Sequence, residues 1–248
     1  MIIYIIKREY LRLKPSLIPL FLFMIIVPIL IHVVIGFPLH DEINNIDGLK
    51  FLYWIAPGIC VFTSALTGYF LTLDGINNLL SDKRHIETLC SMPIDNKQIL
   101  SGILLWSVLV SLAQWLISSI ITSILNNEFY TLKIQLRLFI QTFPSIIFFV
   151  GLGALNAILT TNKYWHISLS FLFFTLLGFG FGCFIPLKNF PIEIISFLKL
   201  VPISNLISGA HNIIFQGTGS FTGGIFSFIL GLFLILVSLG LSNKRFRI

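Results

Sequence analysis

Few side chains in this 248-residue chain could do chemistry, and the histidines come first, because an imidazole can move a proton or hold a metal near neutral pH. His32 sits well inside a long apolar run, while His166 and His211 stand outside the middle of such runs. An enzyme acting on lipid or prenyl chains could use them, but it would need acidic partners near those histidines inside the bilayer, and the sequence places none there. A lone histidine in a membrane span more often hydrogen-bonds a neighbouring helix, and that is the role expected of His32. Cys60, Cys90 and Cys183 form no C-x-x-C or other metal-ligand spacing, so Cys60 and Cys183 read as small buried apolar residues. Gly178, Gly180 and Gly182 form a G-x-G-x-G run, but a dinucleotide fingerprint needs a strand and an opening helix in water. Close helix packing through Gly178 and Gly182 is the better expectation. The chain has no G-x-x-x-x-G-K-[ST], no H-E-x-x-H and no G-x-S-x-G, which leaves no phosphate cradle, zinc-protease helix or nucleophile elbow.

The elements that must position these residues follow from composition. Hydrophobic residues make up 56% and charged residues 10%, against about 25% charged in an ordinary soluble chain, and the mean hydropathy is +0.96. A soluble globule and a disordered chain are both excluded. Open sheets cannot cross lipid, so the choice is a helical bundle or a closed barrel, and long unbroken apolar runs choose helices. The net charge of +6 does not point to nucleic acid, because the 16 basic residues lie in short clusters between apolar runs. The 25 phenylalanines read as lipid-facing bulk.

A spanning helix needs about 20 predominantly apolar residues. Six runs supply one each, at about 17–37, 51–73, 103–125, 138–160, 167–186 and 224–242, giving an all-α polytopic protein with a single transmembrane domain over 1–248. The cluster Lys7, Arg8, Arg12 and Lys14 precedes a run too long for a signal peptide, so the first span is expected to stay in the mature protein. With both termini in the cytoplasm, eleven Lys and Arg fall inside and five (Lys50, Lys133, Arg137, Lys188 and Lys199) outside, which the positive-inside rule favours. None of the six runs contains Asp, Glu, Lys or Arg, so coupling to an ion gradient is not expected.

Four other segments organise the rest. Residues 1–14 read as an interfacial helix with Ile3, Ile6, Tyr10 and Leu13 on one side and Lys7, Arg8, Arg12 and Lys14 around it, able to gather anionic lipid heads. Asp74 to Ser101 mixes charge with apolar residues at helical spacing and looks built to dock. Ile192 to Leu200 and Leu206 to Phe215 are apolar but too short to span, which suggests an external re-entrant hairpin. Gly217 to Gly224 reads as a flexible connector.

Two stretches carry a family likeness. Ala56-Pro57-Gly58 opens span two, which leads through Asp82-Lys83-Arg84-His85-Ile86-Glu87-Thr88-Leu89 to Met92-Pro93-Ile94, with Glu87 and Pro93 six residues apart. Val201-Pro202 is followed nine residues on by His211. Together with six spans and no energy source in the chain, these resemble the permease subunit of type 2 ABC exporters, the group of drug, polysaccharide and nodulation-factor exporters. Arg84 and His85 stand where the family has Gly and Thr, and His211 where it has Arg. The topology likeness covers nearly the whole chain and the motifs about a third.

The resemblance implies a coupling helix at about Gly75 to Pro93, seated on a separate ABC ATPase subunit present in two copies. Lys83, Arg84 and Glu87 would make its polar contacts, Leu89 and Met92 would be apolar anchors, and Pro93 would stop it. It further implies a homodimer with a pathway along spans one, two and five, and an external hairpin carrying Pro202 and His211 at the outer mouth. ATP and Mg would sit on the partner, with no cofactor in this chain. The setting would be the bacterial inner membrane, with lipid and no nucleic acid as further partners. The expected cargo is an amphipathic, lipid-linked or glycan substrate. The rivals are the lipid-acting enzyme and a non-catalytic membrane assembly factor.

Overall fold

Prolines and glycines decide where the apolar runs bend. The structure, a computed structural model, describes residues 2–43, 45–46, 49–81, 95–127, 129–160, 162–217 and 219–245. Helix α1 (Ile2–Leu13) passes through a 3-10 turn (Lys14–Ser16, with Pro15 inside it) into α2 (Leu17–Ile31), then a π turn (His32–Gly36) and α3 (Phe37–Glu42). Pro28 lies inside α2 and has no N–H, so the Met24 carbonyl four residues earlier loses its helical donor. Gln114 replaces it, donating from Nε2 to the Met24 carbonyl at 3.1 Å and to Ser118 Oγ at 2.9 Å. Ser118 in turn shares a 2.8 Å hydrogen bond with Thr63, which ties three helices at membrane depth.

That substitution of donors predicts a coupling. Gln114→Leu should cost about 1–2 kcal/mol, the worth of a buried bond between membrane helices. In a Pro28→Ala background, where residue 28 can again donate to Met24, the same change should cost clearly less, because only the bond to Ser118 is then lost. A double-mutant cycle on thermal unfolding in detergent reads the difference, and additive effects would show that Gln114 does not serve the proline.

After α3 a two-residue antiparallel ladder, β1 (Asn45–Ile46) with β2 (Leu49–Lys50), pairs Asn45 with Lys50 and Ile46 with Leu49. It feeds the central helix α4 (Phe51–Ser81), which is flanked by α5 (Asn96–Leu125) and α6 (Leu132–Leu159). Phe51, Ile55, Ile59, Tyr69 and Ile76 on α4 are fully buried. Four hydroxyls of α5 are satisfied within their own helix, Ser107, Ser111, Thr122 and Ser123 each donating to the carbonyl four residues back. Helix α7 (Lys163–Thr175) and its π turn (Leu176–Gly180) follow, then α8 (Ile192–Leu198), α9 (Pro202–Gln216) and α10 (Thr222–Arg245), the last lying along α6.

Among the described residues, five helices are long and apolar enough to cross a membrane: Ile3–His40, Phe51–Leu80, Asn96–Leu125, Leu132–Leu159 and Thr222–Ser242. The bent pair Ile192–Leu198 and Pro202–Phe215, which meets at 98°, gives up to six if taken as one span. We read that pair as a re-entrant hairpin. Helix α7 and its π turn run about 27 Å, close to the apolar thickness of a bilayer of about 30 Å, and begin with the interfacial residues Lys163, Tyr164 and Trp165. The chain is an all-α polytopic membrane protein.

Four local expectations are corrected. Pro57 lies inside α4, which opens six residues earlier at Phe51. The fifth apolar run, expected to be helical over 167–186, leaves the helix after Gly180, and Gly182 has φ +93°, so Gly178 and Gly182 do not share a helical packing face. Among its described residues, the Gly217–Gly224 stretch is held at several points instead of forming a loose connector, with Gly219 close against Ile213 and Gly223 against Leu206. Gly217 ends α9 at φ +66°, Arg137 donates to its carbonyl, and Gln141 Nε2 donates to the Ser220 carbonyl at 3.3 Å. Some phenylalanines are core instead of lipid-facing bulk: Phe174 packs against Phe62, Tyr69, Phe70 and Phe149, with ring centroids 5.4–5.8 Å apart.

Candidate functional site

Three features line the length of α4. At one end, α1 packs against α5, with Ile5 seated over Gly102, where an added Cβ would come within 2.5 Å of the Ile5 side chain. This docking buries Glu9 completely. Arg8 pairs with its Oε1 at 2.5 Å and Arg12 with its Oε2 at 3.0 Å, while Arg12 also reaches Asp74 Oδ2 on α4 at 3.3 Å. Gly75 makes room for the cluster, since a Cβ there would lie 3.5 Å from an Arg12 nitrogen. A cavity of about 360 Å³ beside it is lined by Arg8, Leu11, Arg12, Gly75, Asn78 and Leu79.

Along the middle of the helix, a groove of about 520 Å³ runs between α2 and α4, walled by Leu20, Phe23, Leu66, Thr67, Phe70 and Leu71, with Asp74 at its end. Behind it, Asn156 Nδ2 of α6 donates to the buried Tyr69 hydroxyl at 2.5 Å, and Ser170 Oγ of α7 lies 3.1 Å from the same oxygen. His166 Nδ1 lies 3.0 Å from Thr160 Oγ1 and 3.2 Å from Asn156 Oδ1. His166 therefore joins a bond network between α6 and α7.

At the other end, Trp54 of α4 stacks on His211 of α9 with ring centroids 4.1 Å apart. Trp54 and Asp74 are 20 residues apart on one helix, which is about 30 Å. A cavity of about 170 Å³ lies beside the stack, with Lys188, Ser208 and Asn212 among its walls. His211 is in the hairpin, outside the crossing helices, and burial lowers its pKa to about 3. Its contact with Trp54 is thus between neutral rings, not a cation over a π face. Pro202 occupies the first position of α9, where a missing N–H costs nothing.

The expected site residues fare differently. Lys7 and Lys14 are exposed, whereas Arg8 and Arg12 are held in the ion-pair cluster. In α1 the inward face is Ile5 and Glu9; Ile3 of the expected apolar side points away from the bundle, while the half-exposed Tyr10 sets its ring edge-on to Trp106 of α5 at 6.1 Å. Lys83, Arg84, Glu87, Leu89, Met92 and Pro93, like Cys90, lie outside the described residues. Of the expected coupling element, Gly75 to Ser81 form the last turns of α4. His32 is corrected: it is fully buried, and among the described residues neither ring nitrogen has a hydrogen-bond partner, its neighbour being the Phe37 ring at 5.7 Å. Cys60 and Cys183 are buried free thiols. Among the described residues no group of three or more His, Cys, Asp or Glu could hold a metal ion.

Sequence reasoning missed Glu9 and Asp74. The Glu9–Arg12 spacing of three residues was the available signal, since such pairs meet on a helix surface. Nothing in the sequence marks Asp74 as its neighbour. Compared with known families, residues 2–215 match the model of the ABC-2 type transporter. No curated protein and no solved structure matches the chain significantly.

Proposed function

The chain belongs to the ABC-2 type transporter family, and from that premise we propose that it is an exporter permease that dimerises in the bacterial inner membrane and moves an amphipathic, lipid-linked or glycan substrate. Permeases of this family generally work with a separate ATPase subunit, and this chain is a membrane subunit, not the ATPase-bearing one. Two copies of each would form the working assembly. The observation that carries the substrate class is the groove between α2 and α4, whose walls are apolar and whose end carries Asp74 and, through it, Arg12. Such a surface suits a molecule with an oily part and a polar part.

In this reading Lys83, Arg84, Glu87, Leu89, Met92 and Pro93 meet the ATPase, and α4 conveys its movement as a rigid element about 46 Å long. Pro202 and His211 belong to the outer mouth, where the Trp54 stack fixes the hairpin on α4. The test is to purify the tagged chain from its native membrane and identify what accompanies it. A stoichiometric partner carrying G-x-x-x-x-G-K-[ST] is expected. Glu87→Arg should then leave membrane insertion intact and reduce stimulated ATP hydrolysis about tenfold, because only a surface contact is reversed. A chain that purifies alone under conditions that preserve other such complexes would overturn the reading.

Orientation has its own measurement. With both termini in the cytoplasm, a cysteine at Ser81 should react with a membrane-impermeant maleimide only in inverted vesicles, and one at Asn45 only in intact cells, each in a background lacking the three native cysteines. The opposite pattern would invert the topology.

A further inference from the structure

The cluster at the α1 end and the groove along α4 are neighbours that share one ion pair. Arg12 lines the 360 Å³ cavity, Asp74 lines the 520 Å³ groove, and the two side chains meet at 3.3 Å. We propose that the cavity and groove form one bipartite site for a phosphate-bearing lipid, with the phosphate on Arg8 and Arg12 and the hydrocarbon chain between α2 and α4, and with Asp74 occupying the phosphate position when the site is empty. This rests on the permease reading and names its substrate class.

Charge bookkeeping favours an anion. Buried Glu9 accepts hydrogen bonds from Arg8 on one oxygen and faces Arg12 as an ion pair on the other, so Arg8, Arg12 and Glu9 together keep one surplus positive charge. Asp74 balances it from a side chain that is 57% exposed, a position from which it can swing away at little cost. Lys7 and Lys14 stand exposed on the same segment, which adds to the positive field. Two guanidinium groups match the oxygens of a phosphate through paired N–H donors.

The groove decides between a lipid and a free ion. Leu20, Phe23, Leu66 and Phe70 have nothing to offer a soluble anion, and the Thr67 hydroxyl in the same wall already donates to the Thr63 carbonyl at 3.0 Å. Phe23 and Phe70 are 39% and 43% exposed, so the walls are open toward the membrane and not sealed in the bundle. An acyl or prenyl chain is the occupant that fits both this wall and the positive charge that Arg8 and Arg12 regain when Asp74 swings away. Gly75 keeps the junction passable, because any side chain there would press on Ile103 and stand against Arg12.

The full chain in detergent is titrated with dioleoyl phosphatidate, dioleoyl phosphatidylcholine and inorganic phosphate, and bound lipid is counted by native mass spectrometry. One phosphatidate site is expected, with phosphatidylcholine binding more weakly and inorganic phosphate failing to displace phosphatidate. Arg12→Gln should weaken phosphatidate about tenfold to a hundredfold. Asp74→Asn should tighten it about two- to fivefold, by removing the internal competitor. Leu20→Trp, which fills the groove, should weaken it without changing the oligomeric state. If Arg12→Gln does not fold, the gain in Asp74→Asn decides, since damage does not produce tighter binding. Equal binding of phosphatidylcholine, displacement by inorganic phosphate, or unchanged or weaker binding in Asp74→Asn would overturn the proposal. So would a Leu20→Trp effect on dimerisation alone, which would make the groove an interface between copies. Failure here leaves co-purification of an ATPase untouched, so the two readings fall separately.

Discussion

Gly58→Val should yield almost no folded, monodisperse protein. The backbone of Cys183 crosses α4 directly over Gly58, and a Cβ there would overlap the Cys183 carbonyl oxygen. A flexible side chain could yield to such a clash, but the atom in the way is backbone. The Cys183 segment is pinned by the residue that follows it: Phe184 N–H donates to the Gly178 carbonyl at 3.0 Å, and Phe184 packs on Phe62 with ring centroids 4.9 Å apart. Relief therefore means lifting the exit of α7 off α4, at a cost of about 3 kcal/mol or more, the upper range for overpacking a core. Gly240→Ala is the control, because nothing lies within 4 Å of a Cβ at that position in α10, and a helical alanine should be neutral or slightly stabilising. Size-exclusion profiles and thermal unfolding in detergent check both. A Gly58→Val chain that behaves like Gly240→Ala would show that the crossing is not as tight as the structure has it.

Glu9→Leu should be the second most damaging change. It leaves Arg8 and Arg12 against the bundle without the carboxylate that both of them use. Breaking a buried ion pair from one side costs about 3–5 kcal/mol, but these arginine side chains are 35% and 26% exposed and water screens part of the loss, so about 2–3 kcal/mol is expected. Adding Arg8→Met to Glu9→Leu should recover part of it, because an apolar pair removes the orphaned charge along with its partner. Scanning fluorimetry of the single and double variants reads the recovery. If Glu9→Leu is neutral, α1 does not depend on the cluster for its seat on α5.

These two residues show what kind of information the sequence withholds. Gly58 is one of 18 glycines, and nothing nearby in sequence says that residue 183 passes over it. Glu9 looks like a surface acid among cations, because its burial depends on Gly102 admitting Ile5 from a different helix. Which face of α1 packs was not legible for the same reason: apolar residues at Ile3, Ile6, Tyr10 and Leu13 mark one side, but in a membrane the apolar side can face lipid, so periodicity does not say which side packs. His32 was expected to find a hydrogen-bond partner, and the neighbours that reach it are the Phe37 ring and the Gly36 backbone turn. The packed Gly217–Gly224 segment was misjudged because glycine serves both loose linkers and close backbone contacts, and only neighbours distinguish them.

By itself the sequence determined the class of protein. Composition, the length of the apolar runs and the lack of charge within them decide how segments partition between water and lipid, and partition needs no tertiary information. The short apolar pieces around Pro202 were legible as two separate short helices, since each alone is too short to span, and the structure bends them by 98°. Only the tertiary structure decided which polar groups meet. Gln114 serves a carbonyl 90 residues away, Asn156 reaches Tyr69 across 87, and Arg12 meets Asp74 from another helix. Inside a bilayer each such group must find a partner or stay costly, but the partner is chosen by which helix faces happen to touch, and no local pattern encodes that choice.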